Sequence, residues 1–265
     1  MVATAKPIAR AIEWVVRVGL ILPAIVLVLA PPLTMCVLSF CKGRFPALPW
    51  PGWSIKWYLE LGQDGDLHAS LVRSVLIAMT TAVFAGVIGF LGAYWLVRLR
   101  HRTAIRILTL LTVPALVPLI LFGLSFLQFA RLAGVSRTLF AVVLAHTVVF
   151  CPVALALCFY RCRQLHPDLD NAAREFGASE LRILIEIIGL QMWRTILASM
   201  GIVFVLSWDE YIVSWFVTGF DKTYPVHVRN MLESTMSPEI YAAGLCVTAV
   251  SVVVVVVAMA LLRRG

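Results

Sequence analysis

Long apolar runs separated by short polar segments dominate the chain. They are Gly19–Phe40, Ser74–Val97, Ile107–Ala130, Thr138–Tyr160, Thr195–Phe220 and Ile240–Leu262. Each is long enough to cross about 30 Å of hydrocarbon as a helix rising about 1.5 Å per residue. All but the fifth lack Asp, Glu, Lys and Arg; the fifth carries Asp209 and Glu210. The pattern predicts an all-α polytopic membrane protein, one transmembrane domain over residues 1–265 with six transmembrane helices. Pro114, Pro118 and Pro152 fall inside predicted spans, and each removes a backbone donor that neighbours must compensate.

Two polar segments break the rhythm. Between the first and second spans, Phe45–Tyr58 packs prolines among Trp and Tyr, a composition suited to the membrane interface. Between the fourth and fifth lies an arginine-bearing loop from Arg161 to Arg194 with helical signals of its own. Pro167 suits a first helical turn, and Asp168 and Asp170 complement the N-terminal dipole. Ala172 and Ala173 favour helix, Gly177 terminates it, and Ser179 caps a second helix from Glu180. The segment Asn171–Ser179 therefore predicts an elbow: short helix, glycine turn, second helix. A small Ala172–Ala173 surface followed by glycine would let it seat closely in a cleft of another protein.

Composition places the chain in the membrane class: 61% hydrophobic and 14% charged, with mean hydropathy +0.94. The net charge of +8 is scattered through short loops, a topology signal and not a nucleic-acid face. With six spans, fourteen Lys and Arg fall on the side of the termini and the 161–194 loop, and eight on the other. Both termini and that loop are thus predicted to be cytoplasmic. No removable signal peptide is evident in the first apolar run. Of six cysteines, Cys158 and Cys162 are spaced i,i+4, but no neighbouring ligand completes a metal site.

No phosphate loop, zinc motif or nucleophile elbow is present, so the chain carries no ATP chemistry of its own. His146 is the single base inside a predicted span, with no nucleophile assigned to it by spacing. An intramembrane enzyme is correspondingly disfavoured.

Ala172-Ala-Arg-Glu-Phe-Gly-Ala-Ser179 resembles the "EAA" loop of binding-protein-dependent ABC importer permeases of the type I fold. The resemblance runs over nearly the whole chain. It includes Ser39-Phe40, Phe45-Pro46, Trp53–Tyr58, Ala145-His146, Pro152 and Ser207-Trp-Asp-Glu-Tyr-Ile-Val-Ser214. The outer-loop and fifth-span segments look like the second permease of spermidine/putrescine-type systems. The resemblance implies a coupling helix, approximately Asp168–Glu175, seated in a separate ATPase. Its residues would be Asp168, Asn171, Ala172, Ala173, Arg174, Glu175, Gly177, Ala178 and Ser179. It also implies a homologous permease partner, two ATP-binding subunits, and a periplasmic or lipid-anchored solute-binding protein in a bacterial inner membrane. No cofactor is expected on this chain; ATP and Mg belong to the partner ATPase. Departures from the pattern are Asn171 for the leading Glu, Gly189-Leu190 for Leu-Pro, Arg194 for a later proline, and Leu119 for an acid.

An acid at a helix centre costs roughly 2.5–3.5 kcal/mol, so Asp209 and Glu210 require a reason. In one reading an acid faces the translocation path and attracts a cationic solute, with Trp208 and Trp215 as cation–π surface and His146 as a gate or contact. In the other, the acids and His146 are hydrogen-bonded inside the bundle. The rival to an ATP-driven importer is a secondary transporter, which predicts paired midplane ionisable groups within inverted repeats.

Overall fold

The computed structural model describes residues 5–44, 50–166, 168–234 and 237–263; for 5–13, 15–17 and 234 it describes the helical backbone alone. Among the described residues the secondary structure is helical, apart from one isolated bridge between Cys41 and Trp53. The chain divides into two compact units. One is Met1–Gln63 with Leu232–Cys246, the other Asp64–Met231 with Val247–Gly265.

The first unit holds α1 (Ala5–Ser39) and α2 (Lys56–Leu61). From Val18 to Ser39, α1 is apolar all round and has no buried stretch, the character of a helix solvated by lipid. Beyond it the chain doubles back. Ser54 N–H donates to the Phe40 carbonyl at 2.8 Å, and Trp57 Nε1–H to that of Cys41 at 2.6 Å. Tyr58 Oη–H donates to Ser39 Oγ at 2.8 Å. These contacts fold down the aromatic loop expected from the sequence; Phe45 and Pro46 lie outside the described residues.

The second unit begins with α3 (Gly65–Val97), α4 (His101–Leu116), α5 (Leu119–Leu132) and α6 (Leu139–Cys162). Next come α7 (Leu169–Glu175), α8 (Glu180–Arg182), a π-helical stretch (Ile183–Gly189), α9 (Leu190–Trp208) and α10 (Ile212–Val217). Two further helices, α11 (Tyr224–Ser234) and α12 (Glu239–Arg263), complete the chain. Side chains cap the long helices where the sequence supplies them. Asp64 accepts from Leu67 N–H at 3.0 Å and Thr138 from Ala141 N–H at 3.1 Å. Asp64 starts α3 nine residues before the predicted span at Ser74.

Small residues set the packing. Ala78, Ala82, Ala85 and Ala93 on α3 are buried, and Gly89 presses against the α6 backbone. A Cβ on Gly89 would stand 2.7 Å from the Leu155 nitrogen. Close backbone approach of this kind drives helix association where lipid removes the hydrophobic incentive. Around it, Tyr94, Phe159, Ile183 and Met192 fill one end of the bundle, and Ile77, Val142, Val213 and Val217 another region.

Two predicted spans are not single helices. The third, expected over Ile107–Ala130, is α4 and α5 meeting at a 92° bend. Pro118 lacks an amide proton and holds Val117 extended (φ −70°, ψ 133°), which stops α4. The fifth, expected over Thr195–Phe220, is helical from Glu180 to Trp208, breaks, and resumes as α10. Among the described residues five helices have the length and apolarity to cross a membrane, or six if the bent pair is one span.

Candidate functional site

The elbow forms as its residues dictate. Asp170 and its neighbours build α7, and Gly177, at φ +79°, takes the left-handed conformation that ends it. Gly177 N–H donates to the Arg174 carbonyl at 2.9 Å and Ala178 N–H to that of Ala173 at 3.0 Å. This paired pattern is the Schellman motif, which satisfies carbonyls otherwise orphaned at a helix end. Ser179 Oγ then accepts from Arg182 N–H at 3.4 Å and starts the next helix. Pro167, expected at the opening turn, lies outside the described residues.

The elbow's faces differ from expectation in one respect. Ala172 is exposed, but Ala173 is buried with Ile183 and Phe159, so the pair does not form one external surface. Adjacent helical residues point about 100° apart, and α7 spends one alanine on its own chain. The outward face carries Asn171, Ala172, Glu175 and Phe176, the last 92% exposed. Arg174 Nη1 donates to Asn171 Oδ1 at 3.4 Å, so the residue in the leading-Glu position keeps a hydrogen bond. Arg174 Nε also donates to Glu180 Oε1 at 2.7 Å, which raises the guanidinium pKa and bridges the two arms of the elbow. Asp168 is exposed, 3.7 Å from His166 Nδ1.

Residues not singled out by their spacing hold the elbow from behind. Arg98, the C-cap of α3, pairs with Asp170 in the first turn of α7. Its guanidinium lies over the Tyr94 ring, 3.4 Å from the centroid. Tyr94 Oη–H donates to Glu180 Oε2 at 3.3 Å. The available signal was the i,i+4 spacing of Tyr94 and Arg98 at a span end, which puts both on one helix face.

A second constellation occupies the break after α9. Glu210 is 7% exposed and its carboxylate is fully engaged. Oε1 accepts from Val213 N–H at 2.7 Å and Oε2 from Ser214 N–H at 2.9 Å, capping α10. His146, on α6 and 1% exposed, places Nε2 at 3.1 Å from Glu210 Oε2 and from Ser214 Oγ. Its Nδ1 stands 2.8 Å from Ser207 Oγ. An ionised carboxylate accepts only, so Nε2–H donates to Glu210 while Ser207 Oγ meets Nδ1. Burying such groups in a low-dielectric interior is tolerable because both carboxylate oxygens accept from donors, three in all. Glu210 and His146 therefore lie inside this bundle, away from any open face of the chain.

Asp209 points the other way. It is exposed, and its carboxylate has no partner among the described residues. Trp215 is likewise exposed, whereas Trp208 is a core residue, stacked between Phe204 and Tyr224 at centroid distances of 6.0 and 6.1 Å. Of the five residues expected along a path, Asp209 and Trp215 thus present a surface in this chain, and Trp208, Glu210 and His146 do not.

Comparison with known proteins agrees with this architecture. Residues 85–265 match the family model described as "Binding-protein-dependent transport system inner membrane component". The putrescine transport system permease protein PotI of Escherichia coli is 30% identical over 257 residues, covering 93% of this chain and 90% of that protein. The spermidine/putrescine permease PotC of Haemophilus influenzae is 28% identical, covering 97% and 96%. A bacterial alginate ABC transporter, solved with a pentasaccharide-bound periplasmic protein, shares the fold at TM-score 0.71 and 14% identity over 98% of this chain and 96% of that one. The methionine transporter MetNI matches at 0.61 and 14% identity over 75% and 95%. Helical architecture, membrane-length apolar segments and a family match over most of the length converge: this chain belongs to the inner-membrane permeases of binding-protein-dependent ABC importers.

Proposed function

We propose that the chain forms half of the translocation path of an importer for a small, polar, cationic, polyamine-like solute. It pairs with a homologous permease, and two copies of an ATPase bind its cytoplasmic side and supply ATP and Mg. A periplasmic or lipid-anchored binding protein delivers the solute. The arginine bias of the 98–106 and 161–194 loops supports a cytoplasmic elbow and cytoplasmic termini.

One observation carries the coupling role. The elbow is an ordered, capped structure whose outward face leaves Ala172, Glu175 and Phe176 free of the bundle. Seated in an ATPase cleft, α7 transmits closure of the nucleotide sites to a bundle with two arrangements. The polyamine-like substrate rests on the similarity to PotI and PotC, and on Asp209 at the end of a membrane-length helix, an exposed carboxylate without a partner among the described residues that attracts cations.

Co-purification from detergent tests the assembly. An ATPase and a second permease should elute with the tagged chain, and solute uptake into proteoliposomes should require ATP. A lone chain that transports without ATP would refute this reading.

A further inference from the structure

The arginines at the end of α3 read from sequence as topology-setting charge. The structure uses one of them differently. Arg98 and Asp170 are 23% and 21% exposed in their side chains, and the guanidinium lies over the Tyr94 ring while its Nη2 pairs with the Asp170 carboxylate. By contrast, the neighbouring Arg182–Glu186 pair is 65% and 57% exposed, the kind of surface contact that fixes little. From one face of the last turn of α3, therefore, two side chains reach the elbow. Arg98 holds the start of α7, and Tyr94 holds the start of α8 through Glu180.

α3 continues from this clamp as an uninterrupted helix of 33 residues. Midway, Gly89 fits it against the Ala154–Leu155 backbone too closely for a Cβ, and Gly86 and Gly92 bring it against the Met200 and Leu155 side chains. About 35 Å from Arg98, at 1.5 Å per residue, Ser74 Oγ accepts from Tyr224 N–H at 2.7 Å and Arg73 pairs with Asp221 at 3.0 Å. Tyr224 in turn stacks on Trp208 beside the α9–α10 break. One rigid element thus touches the elbow at one end and the segment after the break at the other.

We propose that Arg98 is a positioning residue for coupling: it clamps α7 to α3, so that displacement of the elbow moves α3 as a rod toward the Tyr224 end. The idea rests on the coupling role proposed above for α7. A rod transmits only if its joint is stiff, and a planar guanidinium that lies over the Tyr94 ring, with Nη2 on the Asp170 carboxylate and Nη1 on the Tyr94 carbonyl, is stiffer than a lysine in the same place.

The test uses the reconstituted complex with its ATPase and partner permease, carrying Ala172→Cys as a cross-linking site on the elbow. Arg98→Gln should keep the cross-link to the ATPase while solute imported per ATP falls about tenfold, within the usual span of coupling energies. Arg98→Lys should lose less. The exchange Arg98→Asp with Asp170→Arg should recover part of the ratio lost by either single change. An unchanged ratio in Arg98→Gln overturns the clamp, as does loss of the cross-link, which would assign Arg98 to docking. An exchange no better than the single variants also overturns it. If the parent elbow never cross-links to the ATPase, the coupling role itself falls. Should Arg98→Gln fail to assemble, spin labels at Leu99→Cys and Asn171→Cys decide the matter in the parent complex. Their separation should be the same with and without ATP; a separation that changes with nucleotide overturns the clamp.

Discussion

His146 and Glu210, far apart in sequence, meet in the interior of the bundle with Nε2 and Oε2 3.1 Å apart. The same carboxylate caps α10, so one side chain joins α6 to the restart of the fifth span. Glu210→Gln should weaken this joint, and Glu210→Ala should leave the Val213 and Ser214 N–H groups without acceptors and His146 Nε2 with Ser214 Oγ alone. Losing one member of a buried pair costs about 3–5 kcal/mol. The expected result is a clear drop in thermal stability in detergent for Glu210→Ala, with His146→Ala following it. Near-parental melting in both would refute a structural role for the pair.

Asp209, adjacent in sequence, behaves oppositely because it is exposed and unpaired among the described residues. Asp209→Asn should change stability by no more than about 0.5 kcal/mol, as surface changes do. Uptake of a cationic solute should fall several-fold, measured as initial rates in proteoliposomes. Equal rates for parent and variant would place Asp209 away from the path.

Gly177 occupies φ +79° with open space around it, so a side chain there meets strain and no steric neighbour. The left-handed conformation costs an ordinary residue roughly 1–2 kcal/mol, and Gly177→Phe adds bulk on the side proposed to dock. Expression should persist while ATP hydrolysis becomes uncoupled from uptake. Parental uptake in this variant would count against docking of the elbow.

Gly89 tests packing alone. With the Leu155 nitrogen 2.7 Å from its virtual Cβ, Gly89→Leu must force α3 and α6 apart. Overpacking of this sort costs about 1–3 kcal/mol or more, and the protein should be recovered in poor yield. Gly65→Ala, at the start of the same helix with nothing within 4 Å, is the control and should express normally.

Much of this architecture was legible in the residues. The apolar runs located four membrane-length helices closely and the Glu180–Trp208 helix only in its second half, and Gly177 and Ser179 marked the elbow because their conformational roles are local. The break after Trp208 was not legible. Neither Pro nor Gly marks it, and it exists because Glu210 caps α10 with help from His146, a partner 64 residues away. For the same reason adjacent acids that look equivalent in sequence have opposite environments. Arg98 was hidden differently: its basic charge and its aromatic seat lie on one helix and were visible, but its carboxylate, Asp170, comes from α7, 72 residues on.

The bend at Pro118 has a consequence for the sidedness of the whole molecule. A chain that crosses a membrane an even number of times ends where it started. If α4 and α5 together make one crossing, the arginine-rich 98–106 and 161–194 loops share a compartment. If the pair dipped in and returned, everything from α6 onward would be inverted, and those two loops would be parted by the bilayer. Arg98 and Asp170, one from each loop, could then never touch. Their contact is therefore itself an argument about topology: one ion pair requires the bent pair to count as a full crossing.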